Sequence, residues 1–273
     1  FRGEGAVRAV DGVTFSLAQG ETLALVGESG CGKSTVARLV LRLTDPTSGT
    51  IRLNGEDVTH MAGESLRRAR RNVQLVFQDP FASLNPRMTA RQIVAEPLIN
   101  YGAVDDAAFG RRIEALFDSV GLARHQWDRF PHEFSGGQRQ RLGIARALAL
   151  NPAVRVADEP VAALDVSIQA QILNLLADLK RDLGLAYLFI SHDLSVVEFI
   201  STTVAVMYLG TIVEFASRDA FFKNPRHPYA RALLDSVPVT HPSRRGRRAL
   251  LQGEIPSASA LPSGCRFRTR CPM

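Results

Sequence analysis

No apolar run in this sequence approaches the roughly 18–20 residues that a membrane-spanning helix requires. The opening segment, FRGEGAVRAV, holds no apolar stretch of the kind that directs secretion. The two absences lead to the expectation of a protein that neither crosses a bilayer nor is exported. Cysteine is scarce: Cys31, Cys265 and Cys271 are too few for a disulfide framework, and a reducing cytosol is the natural compartment. Lysine is scarce as well. Only Lys33, Lys180 and Lys223 occur, so arginine carries nearly all the positive charge in a net formal charge of +6. Such a balance suits nucleic acid, an anionic membrane surface or phosphorylated ligands, and does not choose among them. The arginine groups Arg67, Arg68, Arg70, Arg71 and Arg244, Arg245, Arg247, Arg248 are read as solvated faces. No internal repeat or strict low-complexity run is present. What remains, 45% hydrophobic and 22% charged residues in a chain of 273, is ordinary for a folded protein with one large or two modest cores. The abrupt ends, Phe1 close to a strand-like segment and Met273 after Cys271-Pro272, suggest a fragment.

Periodicity organises the chain. VTFSL (13–17) and TLALVG (22–27) read as strands around Ala18-Gln19-Gly20. A helix is expected from Lys33 to about Leu43, with Val36, Leu39, Val40 and Leu43 on one face. TIRLNG reads as a strand, and VQLVFQ (73–78) as a nearly all-apolar one of the buried parallel type. Between about 80 and 150 the texture changes. Pro80, Asn85-Pro86 and Pro97 punctuate it, and helical stretches near 89–100 and 107–120 suggest an inserted helical subdomain. Strand patterns resume with VRVADE (154–159) and AYLFIS (186–191). Between these two lies a helix whose Ile168, Ile172, Leu175, Leu176 and Leu179 form one stripe. TVAVMY and TIVEFA flank Leu209-Gly210 as a hairpin. After Phe222 the chain becomes tail-like, with a short helix to Val237.

The chemistry concentrates at strand ends. Gly27-Glu28-Ser29-Gly30-Cys31-Gly32-Lys33-Ser34-Thr35 fits the phosphate-binding pattern G-x-x-x-x-G-K-S/T, with a strand before it and a helix after it. Glycines let backbone N–H groups turn onto phosphate oxygens, and the helix N-terminus adds positive potential. Lys33 can reach the β- and γ-phosphates and Ser34 can ligate Mg²⁺; Cys31 reads as filler. Asp158 ends an apolar strand and suits the same Mg²⁺ through water. The adjacent Glu159 suits a general base that polarises an attacking water. Gln78, a neutral amide at another strand end, can touch metal or water, and His192 can hydrogen-bond the γ-phosphate. Ligands gather at such carboxyl edges in open α/β sheets. A second glycine-rich helix start, Ser135-Gly136-Gly137-Gln138, lies in a different segment and also suits phosphate.

Taken in order, GESGCGKST, VFQDP, FSGGQ, VADEP, AALD (162–165) and SHD (191–193) resemble the ATP-binding cassette ATPases over roughly residues 1–215. The resemblance implies an α/β fold: a P-loop NTPase core of mixed sheet flanked by helices, an antiparallel β subdomain, an inserted helical subdomain and a short C-terminal extension. It implies ATP and Mg²⁺ as ligands. It also implies that Ser135, Gly136, Gly137 and Gln138 contact a nucleotide held by a second subunit, that Asp165 helps pair the two protomers, and that Phe1 is the candidate to stack on adenine. Departures from the family pattern are Phe134 for leucine, Arg155 in a normally apolar strand, Val161 for threonine, and Ala162-Ala163 for Ser-Ala.

NPRHPYARALLDSVP (224–238), EIPSASALPSGCRFRTRCP (254–272) and VFQDPFASLNPRMT (76–89) are similar to the dipeptide/oligopeptide/nickel importer subfamily. That resemblance implies a nucleotide-binding domain over 1–222 and a truncated extension over 223–273. It implies a peripheral ATPase on the cytoplasmic face of the cell membrane, partnered by two transmembrane permease subunits, a second ATPase subunit and an extracytoplasmic substrate-binding protein, with no nucleic acid. Some members carry an iron–sulfur cluster on tail cysteines. Cys265 and Cys271 are two of the four ligands such a cluster takes, and two free thiols is the plainer reading. The rival function is a non-transport cassette ATPase acting on nucleic acid or ribosomes. The 102 positions from Lys33 to Ser135 (135 − 33) leave no room for the long coiled coil of chromosome-type members. A non-hydrolysing regulatory module is opposed by Glu159 and His192.

Overall fold

The computed structural model describes residues 7–102, 105–236, 253 and 255–273. In chain order the strands are β1 (Thr22–Val26), β2 (Arg52–Leu53), β3 (Glu56–Asp57), β4 (Val73–Val76), β5 (Val154–Asp158), β6 (Ala186–Ile190), β7 (Thr203–Tyr208) and β8 (Thr211–Ser217). The α-helices are α1 (Lys33–Val40), α2 (Gly63–Ala69), α3 (Pro80–Ser83), α4 (Ala90–Tyr101), α5 (Asp106–Ser119), α6 (Gly136–Leu148), α7 (Val166–Leu183), α8 (Leu194–Ile200), α9 (Arg218–Lys223) and α10 (Pro228–Ser236). Strand order β4-β5-β6-β1-β7-β8 makes a mixed sheet, and β2-β3 is a separate antiparallel ladder. The chain divides into two compact units, residues 1–17, 21–37 and 189–273 in the first, and 18–20 and 38–188 in the second.

In the first unit β1 is buried along its whole length and pairs in parallel with β7, Leu23 opposite Thr203 through Val26 opposite Val206. A strand buried on both faces must be apolar throughout, which is why TLALV shows no alternation. The β7–β8 hairpin is antiparallel, with a register shift between Val206 and Met207. Behind it lies a core of Ala24, Val26, Val197, Val204, Val206 and Tyr208, joined by Phe221, Tyr229 and Phe267 from beyond the hairpin.

In the second unit β4 runs parallel to β5. Helices α4, α5 and α6 bury Ile93, Val94, Leu98, Ile113, Phe117, Leu142, Ile144 and Leu148, and Phe117 stacks on Trp127 with ring centroids 4.9 Å apart. Thr89 caps α4 in a reciprocal arrangement with Gln92. The stripe expected on α7 is realised by Ile172, Leu176 and Leu179, with Leu173 also buried.

Three expectations need correction. Residues 13–17 are not a strand: Val13, Phe15 and Leu17 are half-buried and Thr14 and Ser16 exposed, so the alternation is present, but no ladder pairs the segment, and alternation alone does not make a strand. TIRLNG is not one continuous strand. Asn54 and Gly55 have φ of 52° and 81°, the left-handed pair that a tight hairpin turn demands, and they fold Leu53 back onto Glu56. Helix α1 ends at Val40 rather than Leu43 because Arg42 turns left-handed at φ 53°. Its guanidinium is buried, donating to the Val58 carbonyl at 2.8 Å and to Asp45 at 2.5 Å. Phe1, Val237 and the arginines at 244–248 lie outside the described residues.

Candidate functional site

The loop Gly27–Thr35 joins β1 to α1. Gly27 sits at φ 150°, and a Cβ there would lie 2.2 Å from the Met207 carbonyl oxygen, so the backbone of β7 admits only glycine. Lys33 opens α1 and is buried. Its Nζ donates to the carbonyls of Gly27 at 2.7 Å and Glu28 at 3.0 Å, which draws the loop into a closed curl around the ammonium. Val36 N–H donates to the Gly32 carbonyl, so the helix ladder begins inside the loop and leaves N–H groups at the start of α1 for an anion. Cys31 is buried, and burial pushes its thiol pKa up, so it is poorly suited to thiolate chemistry.

Glu28 is tied elsewhere. Its backbone N–H donates to the Tyr229 hydroxyl at 2.8 Å, and its carboxylate accepts both Arg270 Nη atoms, at 2.7 and 3.1 Å. Nothing in the sequence pointed to Tyr229 or Arg270, which stand 201 and 242 positions away. His192, in the same unit, follows β6 and is exposed. Next to it Asp193 caps α8, accepting from the N–H groups of Ser195 and Val196.

In the second unit Asp158 closes β5 and Glu159 follows in the left-handed region at φ 48°. A non-glycine residue held there costs energy and is found mainly where geometry matters. Gln78 Nε2 donates to Glu159 Oε2 at 3.0 Å. The fold thus joins two candidates 81 residues apart and fixes the direction of the carboxylate. Downstream, the Gln169 amide donates to the carbonyls of Val161 and Leu164, pinning the turn before α7. Asp165 is exposed at the start of that helix, and its side chain makes no capping bond to it.

Ser135 is the N-cap of α6. Its Oγ accepts from Gln138 N–H at 3.3 Å, and the Gln138 side-chain oxygen accepts from Ser135 N–H at 3.0 Å, a reciprocal cap that satisfies two helix-start donors. Gln138 therefore has a structural partner of its own. The two glycines differ. Gly136 is exposed, whereas Gly137 is buried, and a Cβ on it would lie 2.5 Å from Cγ2 of Ile168 on α7.

A family model described as ABC transporter matches residues 10–162. The chain belongs to the ABC transporter family. A second model, described as the C-terminal region of oligopeptide/dipeptide transporters, matches residues 213–273. Among curated relatives, the oligopeptide transport ATP-binding protein AppF of Bacillus subtilis is 54% identical over 272 residues, spanning 98% of this chain and 83% of its own length. The probable peptide ABC transporter ATP-binding protein y4tS of Sinorhizobium fredii is also 54% identical, over 98% of this chain and 76% of its own. Among solved structures, the dimeric post-hydrolysis state of the ATP-binding cassette MJ0796 bound to ADP and Pi is 30% identical. It superposes with a TM-score of 0.71 over 80% of this chain and 94% of that one. Like other members of its family, this ABC subunit is an ATPase coupled to transport, with ATP as its nucleotide.

The positions where this ABC subunit departs from the family pattern now have surroundings. Phe134 and Val161 are buried. Arg155 is 1% exposed, and its Nε and Nη1 have no hydrogen-bond partner among the described residues. Burial lowers its pKa to about 10, while the neighbouring Tyr187 hydroxyl on β6 is pushed up to about 12. The residue is costly where it stands, and nothing in the structure explains why it is there. Cys265 is exposed, and Cys271 is half-buried against the first unit's core. Among the described residues no group of three or more His, Cys, Asp or Glu side chains is arranged to hold a metal. Cys265 and Cys271 are thus two of the four ligands an iron–sulfur cluster takes, and the described residues gather no set of three around them. No helix among the described residues is long and apolar enough to cross a membrane.

Proposed function

We propose that this ABC subunit powers uptake of di- or oligopeptides. It works at the cytoplasmic face of a membrane against two transmembrane permease subunits and beside a second ATPase subunit, with an extracytoplasmic binding protein delivering cargo. The observation that carries the reading is the extension. Tyr229 and Phe267, both within the segment matched to oligopeptide/dipeptide transporters, are part of the core that holds β1 and β7, so the transporter-type segment is integral to the ATPase unit. The names of the curated relatives point the same way. We divide the chain into a nucleotide-binding domain over 1–222, its helical subdomain inserted at about 80–150, and the extension over 223–273.

Lys33 and the N–H groups at the start of α1 hold the phosphates. The Ser34 hydroxyl and the Asp158 carboxylate, hard oxygen donors, fit Mg²⁺, which supplies charge neutralisation at the phosphates. Glu159 accepts a proton from the attacking water as its oxygen bonds to the γ-phosphorus and the bond to the bridging oxygen of ADP breaks. Gln78 holds that carboxylate in place, and His192 donates to the γ-phosphate. Ser135, Gly136 and Gly137, with Gln138 behind them, close over the partner subunit's nucleotide, and Asp165 helps pair the protomers. ATP-dependent accumulation of a labelled oligopeptide in vesicles carrying the reconstituted complex is the test. An ATPase indifferent to permease and peptide but stimulated by nucleic acid or ribosomes would overturn the reading in favour of a non-transport role.

A further inference from the structure

The phosphate loop of this protein carries an acid, Glu28, one residue past Gly27. A carboxylate in a polyphosphate cradle opposes the bound anion unless its charge is compensated. The structure provides the compensation from the far end of the chain. Arg270 meets Glu28 as a two-pronged pair, Nη1 to Oε2 at 2.7 Å and Nη2 to Oε1 at 3.1 Å, with the arginine side chain 5% and the glutamate 26% exposed. A guanidinium–carboxylate fork of this kind fixes direction as well as charge. The same loop residue is held from a second side by the Tyr229 hydroxyl, which accepts its backbone N–H.

The segment bearing Arg270 is itself anchored. Phe267 is buried between Tyr208 and Tyr229, with ring centroids 5.3 Å from each. Arg266 donates to the Leu209 carbonyl and to Asp11, the latter's carboxyl held below its usual range by that contact. At the other end of the extension, Glu214 accepts the backbone N–H groups of Arg226 and His227, which fixes the approach to α10. An arginine at the end of a loose tail would spend its binding on ordering that tail; here the ordering is done by other contacts.

We propose that Arg270 is a positioning residue for ATP: the C-terminal extension neutralises and orients Glu28, so that the phosphate loop accepts a polyphosphate. The extension is thereby a determinant of nucleotide affinity. The inference rests on reading Gly27–Thr35 as the phosphate cradle and is independent of the transported cargo.

The test is ATP affinity of the full chain, measured by displacement of a fluorescent ATP analogue in the presence of Mg²⁺, with thermal melting in parallel. Arg270→Gln exposes the loop to an uncompensated carboxylate. It should raise the Kd for ATP about 5- to 10-fold, and the loss should shrink as salt is raised. Glu28→Gln alone removes the opposing charge and leaves Arg270 facing the cradle, so it should lower the Kd for ATP by about two- to fivefold, and a raised Kd there would count against the proposal. The decisive measurement is the double variant, in which Glu28→Gln should restore most of the affinity lost in Arg270→Gln. A merely structural role for Arg270 predicts a lowered melting temperature, unchanged affinity in the folded fraction and no rescue, and any of the last two overturns the proposal. Should Arg270→Gln fail to fold, Arg270→Lys keeps the charge and loses the fork; its Kd should rise by about two- to threefold, and wild-type affinity there overturns the proposal equally. A wild-type chain that bound no ATP at all would strike the cassette reading first.

Discussion

Two glycine-rich helix starts occur in this chain, and they are built in opposite ways. The Gly27–Thr35 loop is engaged from inside its own unit: Lys33 closes it, Tyr229 and Arg270 hold Glu28, and the β7 backbone crowds Gly27. Among the described residues the Ser135–Gly137 start is held by its local cap and by packing beside Leu164 and Ile168, and it leaves Ser135 and Gly136 exposed. On the proposed reading the first is a phosphate cradle furnished by one subunit, and the second, a capped helix end with an open face, completes the site of another. That reading gives one chain two phosphate-type loops without two pockets.

The comparison can be broken at several points. Glu159→Gln removes the proposed base while keeping shape and the reach to Gln78. Turnover should fall about 10²- to 10⁴-fold with ATP binding retained, and normal turnover would move the base elsewhere. Ser135→Arg should cut hydrolysis by about 10² or more, the scale of losing one preorganised donor, while ATP binding by the isolated subunit stays within about twofold. Loss of binding by the isolated subunit would mean that the open loop serves its own nucleotide. Gly137→Ala tests the buried half of that loop. Its Cβ meets Ile168 Cγ2 at 2.5 Å, so denaturant titration should show destabilisation of about 1–3 kcal/mol, relieved in part when Ile168 is also cut to Ala. An unchanged midpoint would show that α6 and α7 adjust without cost. The smallest effect is expected away from both loops: Arg155→Met replaces a buried cation whose Nε and Nη1 lack hydrogen-bond partners among the described residues with an apolar side chain and should stabilise the protein by about 1 kcal/mol. A loss of stability there would reveal partners for Arg155 among buried water.

Much of the site was legible because its chemistry is local in sequence. Gly27–Thr35 lies in one unbroken segment, β5 presents Asp158 and Glu159 together, and Ser135 caps its own helix. The stripe on α7 and the β7–β8 hairpin were legible for the same reason: helix and strand periods are written in consecutive residues. The failures share a cause. Residues 13–17 alternate like a strand and find no ladder, Arg42 turns α1 off through contacts with Asp45, Val58 and Met61, and Asn54-Gly55 folds a strand-like run back on itself.

The sequence by itself determined the glycine-rich turn between a buried strand and a helix to which phosphate chemistry is assigned here, because such a turn needs its residues next to one another. Only the tertiary structure decided which groups hold that turn. Gln78 reached Glu159, and Tyr229 and Arg270 reached Glu28, across 81, 201 and 242 positions. Such pairings are made by where the folded backbone brings side chains, and they leave no period or spacing in the sequence to read.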